Sequence, residues 1–266
     1  MIARGAATVR ERSAISRALA CVTATLAFSS CSSPPVSRPL TEAISCLPPD
    51  TLAVAGIYLE RIRGKESYSR LPPAWSLVLD PFRNANLALL AYNGTDVLVI
   101  ASGRFATTPP GVVLLTPGLA LAGSPAAIRA ASAQHAGGRT GAPALVAQAA
   151  PVLTKDIWAV VRGGARLPLP GNAANVNRLL ALTGYTTASA TWDAAIRMDA
   201  DGHCAAPESA RQLEEHLRAL ITLGKATAKA PDLASLFQSV DLRRDGNVVR
   251  LSFSATPQAV EHLLGF

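Results

Sequence analysis

Four histidines, His135, His203, His216 and His262, are the side chains of this 266-residue chain best suited to proton transfer or metal binding. None stands at the spacing of a metal pair. A zinc-binding helix presents two imidazoles one turn apart around a glutamate, and Glu214-Glu215-His216 lacks the second one. The histidines therefore read as members of solvated helix faces. Asp199-Ala200-Asp201-Gly202, with Glu208 further on, matches part of a calcium loop, but the first liganding position would be Arg197, a cation where the metal requires a carboxylate. That segment reads instead as a turn at a strand end. Arg243, Arg244 and Arg250 concentrate positive charge without aromatic stacking partners, and read as a solvated, edge-protecting face rather than a phosphate or lipid contact. Trp75, Trp158 and Trp192 stand singly and read as core residues. The nucleophile elbow GxSxG, the phosphate loop GxxxxGK[ST] and the dinucleotide loop GxGxxG are all missing from the sequence. The residues thus nominate no catalytic side chain, no cofactor and no metal. A hydrolase whose residues converge only in space is the alternative.

The N-terminus carries information of another kind. Arg4, Arg10, Arg12 and Arg17 against the single Glu11 form a basic leader, and an apolar run follows from Ala18 to Phe28. That order is the secretory signal layout, and the run is too short to span a bilayer, which takes about 20 residues. Phe28-Ser29-Ser30-Cys31 resembles the lipobox of bacterial lipoproteins, with Phe28 where Leu is usual. The resemblance implies cleavage before Cys31, acylation of its thiol, and attachment of the body to the cell envelope by a lipid anchor. Ser32 next to it resembles the outer-membrane default, facing the periplasm. Each buried methylene contributes about 0.8 kcal/mol, so several acyl chains make a stable anchor. Cys21 also follows small residues, but cleavage there would leave almost no apolar run.

Composition narrows the body. Without the leader the chain holds 21 basic and 17 acidic residues, so much of the excess charge leaves with the signal and nucleic acid is not an expected partner. Aromatics are 5% of the chain and alanine is abundant, which predicts a core of Leu, Val, Ile and Ala. In an oxidising envelope Cys46 and Cys204 are the two cysteines left to pair; the sequence leaves open a disulfide or two separate thiols.

The predicted organisation is a signal peptide over 1–30, a Ser/Pro-rich tether over 31–48, and two α+β halves over 49–150 and 151–266. Strands are expected at Thr51 to Tyr58, Leu87 to Tyr92, Asp96 to Ala101, Val112 to Leu115, Leu119 to Ala122, Asp156 to Val161, twice within Thr186 to Asp201, Val240 to Arg244 and Val248 to Ser254. Asn93-Gly94 and Asp245-Gly246 predict hairpin turns. Helices are expected at Ala74 to Phe82, after Pro125, over Ala173 to Leu182, after Pro207, after Pro231 and after Pro257; Gly137 to Pro151 reads as the link between halves. The recurrent order of strand pair, Pro, then amphipathic helix predicts antiparallel sheet with helices packed on one face, in two similar halves. The functional expectation is a lipid-anchored, non-catalytic binding or interaction module for an envelope protein or small ligand.

Overall fold

Short Val/Leu/Ala runs separated by turn residues become ten strands of one antiparallel sheet in the computed structural model, which describes residues 37–65, 68, 84–105, 108, 111–168, 175–193, 195–256 and 258–259. The strands are β1 (Ala53–Ile57), β2 (Ala85–Tyr92), β3 (Val97–Gly103), β4 (Val112–Thr116), β5 (Leu119–Gly123), β6 (Ile157–Arg162), β7 (Tyr185–Trp192), β8 (Ile196–His203), β9 (Asp241–Asp245) and β10 (Val248–Ala255). Seven helices are described: α1 (Arg38–Ile44), α2 (Leu59–Arg63), α3 (Pro125–Ala136), α4 (Pro143–Ala149), α5 (Val176–Leu180), α6 (Pro207–Thr227) and α7 (Pro231–Ser239). The fold class is α+β, as the sequence predicts.

Strand order across the sheet is β4-β5-β3-β2-β1-β6-β7-β8-β10-β9. Counted outward from the middle, each half of the chain follows the same path, β1-β2-β3-β5-β4 and β6-β7-β8-β10-β9. The halves meet at the antiparallel pair β1 and β6, where Ala55 lies opposite Ala159. An approximate twofold axis through that pair relates the strand orders of the two halves. A helix precedes each central strand (α1, α4), and a second follows it (α2, α5). The long α6 with α7 is inserted between β8 and β9.

Turn chemistry explains the hairpins, with adjusted positions. Tyr92 pairs with Val97, so the first loop is Asn93 to Asp96. Asn93 Oδ1 accepts the N–H groups of Thr95 and Asp96, and Gly94 takes φ 105°. In the last hairpin Asp245 pairs with Val248, so the turn residues are Gly246 and Asn247, one position later than Asp245-Gly246. Gly246 has φ 56°, the positive value a two-residue hairpin loop needs.

Side chains alternate between the two faces, and so does the packing. On one face Val54, Leu89, Ile100, Leu121, Trp158 and Val160 join Leu40 and Ile44 of α1, Ala127 and Ala131 of α3, and Leu145 and Ala149 of α4 in a single cluster. On the other, Ala88, Ala101, Ala120 and Ala190 pack with Leu59 and Ile62 of α2 and Leu236 of α7. The helices thus divide between the faces rather than gathering on one, because elements this short each cover only a few of ten strands. α6 seals the far end of the second face: Leu213 lies over Gly202, and an added Cβ there would meet Leu213 Cδ2 at 2.7 Å.

Several expectations change. Residues 38–47, read as tether, form α1 and its exit; Leu40, Ala43, Cys46 and Leu47 are at most 1% exposed. The prolines and serines upstream obscured a short apolar helix with its own buried stripe. The Gly137 to Pro151 link contains α4, started by Pro143. Cys46 and Cys204 are free, buried thiols in different clusters, so the bridge is not formed. Burial pushes the Cys46 thiol up to about 11 and also raises Cys204. Asp199 to Gly202 lies inside β8, not in a turn, because its partners on β7 and β10 continue the ladder through it. The helix expected at Ala74 to Phe82, most of the one after Pro257, and Cys31 with the whole signal segment lie outside the described residues.

Candidate functional site

The polar candidates of the sequence do not converge. His203 on β8 stacks on Tyr185 with ring centroids 4.2 Å apart, and burial holds its imidazole below the usual range. His216 Nδ1 sits 2.7 Å from Gln212 O on the exposed side of α6. His135, at the end of α3, meets Ser45 Oγ at 2.9 Å through Nδ1. Ser45 donates its own proton to Glu42 O at 2.7 Å, so the hydroxyl must accept from the imidazole. A serine whose proton is committed to a main-chain carbonyl is not set for attack; the contact pins α1 to α3. His262 lies outside the described residues. Each arginine of the last hairpin has an acid beside it: Arg243 with Asp241 at 2.7 Å, Arg244 with Glu214 at 2.8 Å, Arg250 with Asp245 at 3.9 Å. Asp199 and Asp201 share a face of β8 with no further ligand, and no group of three or more His, Cys, Asp or Glu is placed to hold a metal ion among the described residues.

What the fold does assemble is apolar. Following the register across all ten strands gives one row: Val112, Ala122, Val99, Leu90, Ala55, Ala159, Ala188, Ala200, Leu251 and Leu242. Every residue of the row is apolar, and none is buried. Leu90 is 48% exposed, whereas Leu89, next to it and on the other face, is 0% exposed. At about 4.8 Å between strands the strip runs for about 43 Å. Its floor is narrow and flat in the middle, where four alanines succeed one another, and larger side chains rise towards both ends.

Packed elements border the strip. Along one side Ile57, Ile157, Met198 and Phe253 lead up to α2 and α7. Near one end stands α6 with Leu213 and Leu217. The opposite face of β7, β8 and β10 carries Thr187, Ser189, Asp199, Asp201, Arg250 and Ser252 at corresponding positions, so these strands are amphipathic and the strip is their apolar side. No titratable side chain belongs to the strip, and each of its eight inner strands is paired on both sides in the ladder. Such a surface can hold an extended apolar molecule by burial, at about 0.8 kcal/mol per methylene covered; it offers no group that could react with one.

An ion network holds the α2 border in place. Lys65, just past α2, contacts Asp156 Oδ2 at 2.8 Å and Asp193 Oδ1 at 3.0 Å, and Asp156 Oδ2 also accepts the Trp192 N–H at 3.2 Å. Burial alone would raise the Asp156 carboxyl, but the Lys65 ammonium and the Trp192 N–H outweigh it and hold it below the usual carboxylate range. Burial likewise opposes the charge on Lys65, and its two carboxylates raise it. The Asp156 contribution is therefore present above the unfolded carboxylate value and lost as pH falls through the folded one. Asp156→Asn should cost about 2 kcal/mol near neutral pH, and the gap between wild-type and variant thermal midpoints should close below about pH 4. A gap unchanged by acid would show that the charge on Asp156 is immaterial.

Two hollows lie away from the strip. One, of about 180 Å³, sits between α3 and the β2–β3 loop, lined by Pro48, Thr51, Asn93, Asp96 and Ala127. It is below the range of about 300–1,000 Å³ usual for small-molecule sites. The other, of about 470 Å³, is an open corner between α6 and α7 lined by Gly224, Lys229, Leu233 and Phe237. Neither gathers convergent polar groups. The sequence reading missed the strip because each of its alanines belongs to a different strand; the available signal was the run of apolar residues on both faces of β1 and β2, which implies that neither face is an ordinary wet one.

No known protein family matches the chain, and no curated protein matches it. Among solved structures it is similar to crystal form III of TP0453, with a TM-score of 0.49 and 7% identity over 84% of this chain and 98% of that one. Crystal form I of TP0453 gives a TM-score of 0.48 and 8% identity over 84% and 96%. At these values the likeness assigns no function to the chain.

Proposed function

We propose that this chain is a lipid-anchored protein of the bacterial cell envelope whose body binds an extended apolar ligand on the strip without catalysis. The observation that carries the reading is the ten-residue apolar row across the sheet, none of it buried. Nothing in that row can act as nucleophile, acid or base, so recognition is by shape and burial. The leader, the short apolar run and Cys31 support the anchor and, with Ser32, an outer-membrane location facing the periplasm. Among the described residues no helix is long and apolar enough to cross a membrane.

Titration of the chain carrying Cys31→Ser with an environment-sensitive fatty-acid probe should give a saturable, blue-shifted signal that unlabelled fatty acid displaces. A signal that neither saturates nor competes would remove the ligand reading. The anchor is tested separately by radiolabelled palmitate in cells: wild type should incorporate label and Cys31→Ser should not. Label retained by the variant would place acylation elsewhere.

A further inference from the structure

The two edges of the sheet are chemically unlike. The β9 edge reads Asp-Leu-Arg-Arg-Asp, four of its five side chains charged, with Asp241 and Arg243 paired. The β4 edge reads Val-Val-Leu-Leu-Thr and carries no charge at all. Val113 is 42% exposed there, and among the described residues β5 is the one strand neighbour of β4. An edge strand presents unpaired N–H and C=O groups, and charge is the usual device that keeps another strand away. β9 has that device and β4 lacks it. A register shift between Leu114 and Thr116 turns Leu115 towards the core, which leaves Val112 to Leu114 as regular strand.

We propose that β4 pairs antiparallel with β4 of a second copy of this chain about a twofold axis. Charge selects this pairing over the others. Two uncharged aliphatic edges match, whereas β4 against β9 would strip water from the charged groups of β9 while β4 offers them no polar side chain but Thr116. A β4-to-β9 contact would also repeat head to tail into an open array, while β4 to β4 closes at two copies. Pairing centred on Val113 sets Val113 against its equivalent, and Val112 against the second copy's Leu114 on the strip face. The apolar strips of the two copies then end on the same face, offset by two residues, and the pairing itself does not depend on whether the strip holds a ligand. Three regular residues make a contact below the standard interface size, so the dimer is weak and concentration-dependent.

The test is sedimentation velocity of the full chain carrying Cys31→Ser, so that no lipid drives association, over about a hundredfold range of concentration. The sedimentation coefficient should rise towards that of a dimer. Val113→Lys and Val113→Glu should each weaken association at least about tenfold by setting like charges opposite one another. An equimolar mixture of the two variants should associate again, which a misfolded variant could not do. Arg243→Ala on the other edge should change nothing. A wild-type chain monomeric throughout, or one whose association ignores charge at Val113, overturns the proposal.

Discussion

Trp158→Ala is expected to lower the unfolding free energy by about 3–5 kcal/mol, read as a fall in the urea midpoint with little change in slope. Trp158 is 2% exposed and lies on β6, at the seam between the two halves. Its ring lies over Gly56, the residue opposite it on β1, so closely that a Cβ on Gly56 would fall 2.3 Å from a ring atom. The indole Nε1 has no hydrogen-bond partner among the described residues, so the loss is packing alone. Gly56→Ala should therefore be damaging for a reason its own small volume hides: it displaces the tryptophan. In the Trp158→Ala background the same change should cost little, since the space is vacated. Strictly additive costs would mean that the ring and the glycine do not depend on each other.

Ala159→Arg should reduce affinity for the fatty-acid probe at least about tenfold, or about 1.4 kcal/mol. Ala159 is the midpoint of the strip, partly exposed, so a longer side chain can leave the surface without entering the core. In the bound state its guanidinium would either lose water beneath the apolar chain or lift the chain from the floor. Ser252→Arg, on the opposite face of β10, is the control and should leave affinity unchanged. Circular dichroism should show both variants folded. Equal affinity of Ala159→Arg and wild type would place any apolar binding elsewhere, the open corner of α6 and α7 being the next surface to test.

The strands were legible because their signals are local. Alternating or continuous Val/Leu/Ala runs bounded by Pro, Gly and Asn marked eight of the ten strands closely, and β7 and β8 were expected within one stretch. Turn positions moved by a residue because the partner strand, not the turn alone, sets the register: Asp245 completes the β9 ladder opposite Val248, leaving Gly246 and Asn247 as the loop. α1 and α4 were missed where proline-rich and alanine-rich composition masked short helices whose stability comes from packing on the sheet rather than from propensity. Along α6, Leu213 is buried but Leu220 and Leu223 are exposed, because the helix outruns the sheet it packs on.

By itself the sequence determined the α+β class, most strand positions and the resemblance of Leu26 to Cys31 to a lipoprotein signal, since each of these depends on residues near one another in the chain. Tertiary structure alone decided that the two halves share one sheet, that Cys46 and Cys204 stay apart, and that ten apolar residues from ten strands fall into a single row with none of them buried. The physical reason is range: a strand's own pattern says which side chains share a face, but only pairing with its neighbours says which residues of other strands stand beside them.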